Sequence, residues 1–448
     1  PRGGIILRLP GDLDWRVLAV SAIVCLGATL LFGLVPALVT SHIDLAGALR
    51  SESGAVAGSR RATWMRSTLV VVQMALSVVL LVGAGLLIKS FQAIRTANPG
   101  FTTNGVLTTW VDLFTAGYDV RRARTFQDEL LDRVRTISGV QSASLSVATP
   151  FSYASVASAT IAVDGYDPPR DQQPTVEYNT VSPDYFATMG IPIVSGRAFT
   201  AADDDSAARV AVVDETMAAQ FWRGADPVGS RVQVKGQWLS VVGLARPIKT
   251  RNFMEAPKPY FYVPLRQNLA SYVALQIRTP LGAAAIGPAL VREIHTLDAN
   301  IAPGELITMR EQVDRTTASQ RIAVTMLIVF GGLALVLAAI GLYGVMAATV
   351  AQSARQLALR MALGADASDV LRLVLSKGLI VTAVGGFAGA VCAFETTRLM
   401  GYLLYQVSPR DPWTFGAALI VVTIAAMAAC IVPARRAIRT DPIQALRG

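Results

Sequence analysis

Long uncharged apolar runs punctuate this chain. Four are plain: Val17–Ile43, Ser67–Ile88, Ile322–Ala354 and Thr414–Ala434. Crossing a bilayer as a helix takes roughly 20 apolar residues, so each is predicted to span. A fifth run, Gly378–Phe394, reaches that length with Leu373–Ser376 and the weakly polar Thr396–Thr397. Between the second and third runs the pattern changes to the short periods of a globular domain. Leu107–Asp112 reads as a strand, Arg121–Ile137 as a helix and Ser142–Val147 as a strand. A similar pattern returns as Tyr272–Ile277, Leu281–Leu297 and Leu306–Met309. From Ala159 to Leu265 β-branched residues and Gly/Pro turns dominate, with strands predicted at Val210–Val213, Arg231–Val234 and Leu239–Val242. The expected fold is a multi-span α-helical membrane protein with five transmembrane helices and a large extracytoplasmic α/β domain. That domain is expected to comprise a βαβ-type subdomain formed by its two ends and an inserted β-rich subdomain, about 159–265.

Composition narrows the class. Of 448 residues 52% are hydrophobic and 16% charged, against about 25% charged in soluble domains. Disorder, collagen-like repeats and disulfide scaffolds are excluded by the low charge, 36 Gly, 22 Pro and 3 Cys. The cysteines, Cys25, Cys392 and Cys430, all fall in apolar spans, where cysteine behaves as a small apolar residue.

Charge sets the orientation. Arg50, Arg60, Arg61 and Arg66 follow the first span; Arg355, Arg360, Arg372 and Lys377 follow the third; Arg435, Arg436, Arg439 and Arg447 follow the last. Short basic loops stay in the cytoplasm, so the long segment between the second and third spans is exported. From Ser90 to Gln320 there are 21 basic and 22 acidic residues, so the chain's +9 lies beside the membrane. A folded basic patch for nucleic acid is therefore not expected.

Val35–Arg50 and Val432–Arg447 match at seven of sixteen positions, including Val-Pro-Ala at the start and Ala-Leu-Arg at the end. The preserved spacing of span and tail predicts an internal duplication. On this reading residues 1–50 hold the last span and tail of a first module, and 51–66 form a cytoplasmic linker. Residues 67–90 begin a second module, 91–320 form its exported domain, and 321–448 hold spans at about 322–350, 375–398 and 414–434. A chain starting at Pro1 without Met is expected to be a piece of a longer one, truncated at its N-terminus.

Catalytic signatures are missing. His42 and His295 have no partner at metal-ligand spacing, and neither G-x-S-x-G nor H-E-x-x-H occurs. Gly83–Ser90 imitates a phosphate loop but has Ile88 where a glycine is required. Asp203–Asp205 lacks the spaced ligands and glycine of a calcium loop and reads as a solvated loop. No metal, no bound cofactor and no enzymatic activity are expected. Gly341-x-x-Gly344 and Gly385-x-x-x-Gly389 offer small faces for helix packing. In Arg355–Arg372, Gly364 suits a helix C-terminus and Asp366 the next N-cap, which predicts two short helices meeting just inside the membrane.

Arg355–Asp369, the Gly-rich Gly331–Gly344 before it and the Ala445-Leu446-Arg447 tail resemble the FtsX-like permeases of ABC transporters. Asn98–Phe101, Val181–Phe186, Gly190–Ile193, Gly196–Phe199 and Tyr260–Pro264 are similar to the MacB-like periplasmic core domain. With its half-module the chain resembles the duplicated orphan permease type. The resemblance implies that Gln352–Lys377 is a coupling loop for a separate cytoplasmic ABC ATPase, carried by Arg355, Leu357, Arg360, Leu363, Gly364 and Ala365. Where the family commonly reads Arg-Glu-Ile-Gly-Ile-Arg, this chain has Arg355-Gln-Leu-Ala-Leu-Arg360 and lacks the acidic residue. ATP would be bound by that separate subunit, and motion passed to the exported domain for efflux or extraction of a hydrophobic or amphipathic substrate. The implied location is the bacterial cytoplasmic membrane, with the lipid bilayer and an envelope protein as further partners. The alternative is a non-transporting signalling module that regulates an envelope partner.

Overall fold

The computed structural model describes residues 15, 19, 22, 23, 26, 52–152, 156–167, 174–223, 225–362, 367–401 and 404–438. They form two compact units: Pro1–Gly83 with Ile328–Thr396 and Pro412–Gly448, and Ala84–Leu327 with Thr397–Asp411. The predicted span Val17–Ile43 lies almost wholly, and the repeated tail Val35–Arg50 wholly, outside the described residues. Of its counterpart Val432–Arg447 only residues 432–438 are described, as helix.

Helix α1 covers Glu52–Thr96. The exported segment then runs β1 Val106–Asp112, α2 Val120–Thr136, β2 Ser142–Ser146, β3 Ala157–Val163, β4 Thr175–Val181, α3 Tyr185–Met189 and β5 Ile193–Gly196. It continues β6 Val210–Asp214, α4 Glu215–Phe221, β7 Arg231–Val234, β8 Gln237–Ala245, β9 Tyr260–Pro264, β10 Tyr272–Arg278, α5 Ala283–Leu297, β11 Ile307–Thr308 and α6 Met309–Thr316. Three long helices complete the chain: α7 Ala318–Ala362, α8 Ala367–Leu399 and α9 Pro412–Ile438. Among the described residues four helical segments are long and apolar enough to cross a membrane: Ser67–Thr96, Arg321–Ala351, Leu375–Leu399 and Pro412–Arg435.

The two ends of the exported segment make one α/β sandwich. Its strands lie in the order β11-β1-β10-β2, every neighbouring pair antiparallel. Each β-α-β unit is thus split by a strand of the other, the ferredoxin-like arrangement. Helix α2 buries Ala123, Phe126, Leu130, Leu131 and Val134, and α5 buries Ile286, Leu290 and Ile294. These are 3.6-period stripes against the alternate residues Leu107, Val111, Leu145, Val273, Leu275 and Ile277 of the sheet. Asp119 caps α2 by accepting the Arg122 N–H at 2.8 Å.

The inserted strands close into a ring. Strand β4 pairs with β3, β3 with β7, β7 with β8, β8 with β6, β6 with β9, and β9 with β4 again. Closure leaves these six strands no free edge within the ring, and strand alternation gives the ring an inside and an outside. Val176, Ala211, Val213, Leu239, Val241, Phe261 and Val263 share one core, while Val181, Val210, Val212, Tyr260 and Tyr262 join a second. In β8 the register slips at Val242: Ala211 opposes Val241, yet Val212 opposes Gly243. Beyond this bulge the parity reverses, so that Leu244 packs on the first core. One pair, Ser146 opposite Val181, carries the sheet from the sandwich into the ring.

Candidate functional site

The predicted coupling residues fall at the junction of α7 and α8. Arg355, Leu357 and Arg360 belong to α7, which continues unbroken from its span to Ala362. Helix α8 begins at Ala367 and likewise runs on into its span. The two short helices of the sequence reading are therefore extensions of spanning helices. Alanine, leucine, arginine, glutamine and methionine, all strong helix formers, fill Ala354–Ala362 and give the helix no reason to stop at the membrane border. Leu363, Gly364 and Ala365 lie outside the described residues.

Of the predicted packing glycines, the structure brings three to a neighbouring helix. A Cβ on Gly389 would stand 2.7 Å from the Ala75 carbonyl oxygen and 2.8 Å from Ala75 Cα. One on Gly385 would meet Met74 Cβ at 2.8 Å. Gly341 faces Val70 Cγ2 at 3.1 Å, but nothing lies within 4 Å of Gly344. The expectation for Gly344 is corrected by helix geometry. Four residues turn a helix only about 40° past one full turn, whereas three leave it about 60° short. Val70, Met74, Ala338, Leu342, Met346, Ala426 and Cys430 form the buried core of this unit. A Cβ at Gly378 would lie 2.5 Å from Cys430 Sγ, so this cysteine fills space beside a glycine as a small apolar residue.

Gly83–Ser90 is helix throughout and cannot cradle phosphate. Its last residue has another role: Ser90 Oγ accepts the Tyr405 N–H at 2.8 Å, and next to it Lys89 pairs with Asp411. Tyr405 packs on the aromatic cluster of Phe101, Phe151 and Phe253. The short segment 397–411 thus belongs to the same compact unit as the exported domain.

Chemistry in the exported unit centres on carboxylates that the sequence reading treated as solvated or passed over. Asp203 is buried; Arg197 grips it through two bonds of 2.7 and 2.9 Å, and the Thr200 N–H adds a third at 2.7 Å. The guanidinium holds its carboxyl below the ordinary range. Asp204 caps the next turn through the Ser206 N–H, and Asp205 pairs with Arg124 at 2.9 Å. Asp203 is thus a structural latch, while Asp205 stays solvent-exposed as the loop reading expects. The latch's signal in sequence was the arginine six residues before Asp203.

Asp214, at the N-terminus of α4, is 2% exposed. Its Oδ1 accepts both the Met217 N–H at 2.7 Å and the Tyr260 N–H at 3.1 Å. Burial outweighs these bonds and pushes its pKa up to about 7. A folded-state value above the ordinary 3.8 means the folded protein binds the extra proton. The resulting stabilisation is full below pH 4 and disappears as pH rises through 7. The expected difference is about 2 kcal/mol between pH 5.5 and 8, visible as a higher Tm at the lower pH. Asp214→Asn keeps the accepting oxygen and should flatten that pH dependence. Asp214→Ala orphans two buried N–H groups and should cost about 2–3 kcal/mol at pH 5.5, and about 2 kcal/mol less at pH 8, where the wild type has itself lost the stabilisation from the buried proton. Beside Asp214, Glu215, Thr216 and Tyr260 line an open cavity of about 540 Å³. Among the described residues no His, Cys, Asp or Glu cluster suits a metal ion.

Residues 67–297 match the family model of the MacB-like periplasmic core domain, and 328–442 that of the FtsX-like permease C-terminal region. The macrolide export ATP-binding/permease protein MacB of Vibrio parahaemolyticus is 24% identical over 360 residues, 73% of this chain and 51% of that protein. The ABC transporter permease YknZ of Bacillus subtilis is 22% identical over 288 residues, 62% of this chain and 71% of YknZ. The crystal structure of the periplasmic region of MacB from Actinobacillus actinomycetemcomitans aligns with 52% of this chain and 98% of that one, at 16% identity and a TM-score of 0.34. The chain spans about half the length of the MacB relatives it matches. With more than half its length in the first family and an FtsX-like region following in order, the chain belongs to the FtsX-like ABC transporter permeases that carry a MacB-like periplasmic core domain.

Proposed function

We propose that this chain is the permease subunit of an ABC transporter in the bacterial cytoplasmic membrane, with its α/β domain exported. It couples ATP hydrolysis on a separate cytoplasmic ATPase to motion of that domain, and so to export or extraction of a hydrophobic or amphipathic substrate. One observation carries the reading: α1 and α7 are each single helices of 45 residues, and they flank the exported segment in the chain. At 1.5 Å per residue each is about 68 Å long, more than twice the roughly 30 Å of hydrocarbon. The α7 helix extends past its span into the basic segment that holds Arg355 and Arg360. A push at that end is transmitted along hydrogen-bonded backbone, without a joint to absorb it. The name of the Vibrio relative points to macrolide export by that protein, which makes an amphipathic cargo the substrate class to test here.

The test is affinity purification of the full-length protein from its native membrane, with mass spectrometry of what accompanies it. A P-loop ATPase should co-purify in fixed ratio. Leu357→Asp places a charge in an apolar docking position and should lower its recovery on the order of tenfold. No ATPase after cross-linking would overturn the reading in favour of motor-independent signalling to an envelope partner.

A further inference from the structure

The 540 Å³ cavity beside Asp214 is lined in part by the turn Asn98–Thr102, the segment Arg246–Thr250 and the segment Glu255–Lys258. Its size falls in the range of small-molecule sites, about 300–1,000 Å³. The walls are prebuilt. Gly100 has φ +88°, and a Cβ there would meet the Pro247 carbonyl oxygen at 2.5 Å, while the Lys249 N–H bonds to the Pro99 carbonyl at 2.8 Å. These contacts lock the Asn98–Phe101 turn against the opposite wall, so a ligand would not have to order them.

Most of the cavity's acidic groups are already engaged. Glu177 is paired with Arg251 at 2.7 Å. Glu255 Oε1 accepts the Thr250 N–H, the Thr250 hydroxyl and the Arg251 N–H at 2.6–3.2 Å. The Lys249 ammonium donates to the Glu255 carbonyl oxygen at 2.5 Å and has no carboxylate partner among the described residues. Arg246 and Lys258 are exposed on the lining, and among the described residues their side chains have no hydrogen-bond or ion-pair partner. Glu215 is the one lining carboxylate with no partner among the described residues. Three cations of the lining, Arg246, Lys249 and Lys258, stand against Glu215 and Glu255, the two lining carboxylates with no cation paired to them among the described residues, which leaves the cavity one positive charge in excess. Between them Pro99, Pro192, Pro247, Ile248 and Pro257 supply rigid apolar surface.

The geometry points to this cavity as a binding site for an anionic amphipath, a molecule with a phosphate or carboxylate head and an apolar body. Arg246 and Lys258 take the head, Arg246 through its planar fork, and the proline wall takes the adjoining apolar segment. This narrows the substrate class of the proposed permease and rests on that reading.

The test uses the full chain in a neutral detergent and a short-chain phosphatidylglycerol carrying a diazirine on its acyl group. After illumination, labelled peptides are mapped by mass spectrometry. Label should appear in peptides covering 98–102 and 246–258. Unlabelled dihexanoylphosphatidylglycerol should compete, and dihexanoylphosphatidylcholine at least tenfold less well. Arg246→Glu with Lys258→Glu should cut labelling at least tenfold with Tm unchanged, and Arg246→Gln with Lys258→Gln should give an intermediate loss. Equal competition by the phosphatidylcholine, or label confined to the spans, overturns the assignment. Inorganic phosphate competing as well as the lipid would show an anion site with no amphipath selectivity and also overturns it. ATPase co-purification, run on the same variants, separates failure of this site from failure of the permease reading.

Discussion

Gly389→Leu is expected to abolish recovery of monodisperse protein. The Cβ of any residue there would lie 2.7 Å from the Ala75 carbonyl oxygen, 2.8 Å from Ala75 Cα and 2.8 Å from Val78 Cβ. Two of these atoms are backbone of α1 and cannot rotate away. In a bilayer apolar surface gains little by leaving lipid, so close backbone approach is the main thing that associates α8 with α1. Leucine would push the helices apart and forfeit the neighbouring Gly385–Met74 contact as well. Overpacking of this kind costs about 3 kcal/mol or more. Gly344 is the internal control. Nothing lies near it, and Gly344→Ala should leave the elution profile and Tm unchanged within about 0.5 kcal/mol. Size-exclusion profiles and melting curves of the two variants, expressed in parallel, check the contrast. Equal behaviour would remove Gly389 from the helix contact.

What could be read from the sequence follows from how local the signal was. The strands at Tyr272 and Arg231 and the helices near Arg121 and Leu281 were legible because their apolar positions recur with period 2 or 3.6. The last strand is present but shorter than its pattern suggests. Leu306–Met309 reads as a strand and β11 covers Ile307–Thr308, because Thr308 accepts the Glu311 N–H and starts α6 at Met309. Thr308-x-x-Glu311 is a capping-box spacing, a local signal that was there to be used. Closure of the ring was of another kind. It depends on β4 meeting β9 in parallel, residues 177–181 against 260–264, and no local pattern reports a partner that far along the chain.

The candidate sites divide in the same way. Gly385 and Gly389 announce themselves by spacing, whereas Gly344 shows that spacing cannot say which face a neighbour occupies. Asp214 was illegible. A single aspartate before a short helix looks like an ordinary cap, and its burial comes from Tyr260, brought there by β6–β9 pairing. The cavity cations were illegible for a related reason. Arg246 and Lys258 stand out only once Glu177 and Glu255 are seen to be engaged elsewhere.

Gly243→Ala should unfold the exported domain locally while leaving the spanning helices intact. Gly196 lies opposite Gly243 where β5 meets β8. A Cβ on Gly243 would fall 2.2 Å from the Arg197 carbonyl oxygen, and one on Gly196, at φ +72°, would fall 2.3 Å from the Val242 carbonyl oxygen. Neither strand can take a side chain at this crossing. The bulge at Val242 fixes the register, so sliding by one residue would turn the buried Leu239 and Val241 outward. The alanine methyl must therefore displace Arg197. That residue's N–H bonds the Val242 carbonyl at 2.9 Å, and its guanidinium holds the buried Asp203. Moving it leaves a buried carboxylate without its cation, and breaking such a pair costs about 3–5 kcal/mol. Limited proteolysis should open new cleavage sites in 197–209, with far-UV helix content nearly preserved, since α1, α7, α8 and α9 hold most of the helix. Gly229→Ala separates crowding from backbone strain. Gly229, unlike Gly243, has positive φ, +88°, but nothing within 4 Å, and its cost should stay near 1 kcal/mol. If the two variants resist protease alike, the close approach of β5 to β8 does not hold in solution. If only Gly243→Ala is cut, the latch through Arg197 and Asp203 depends on the glycine pair beneath it.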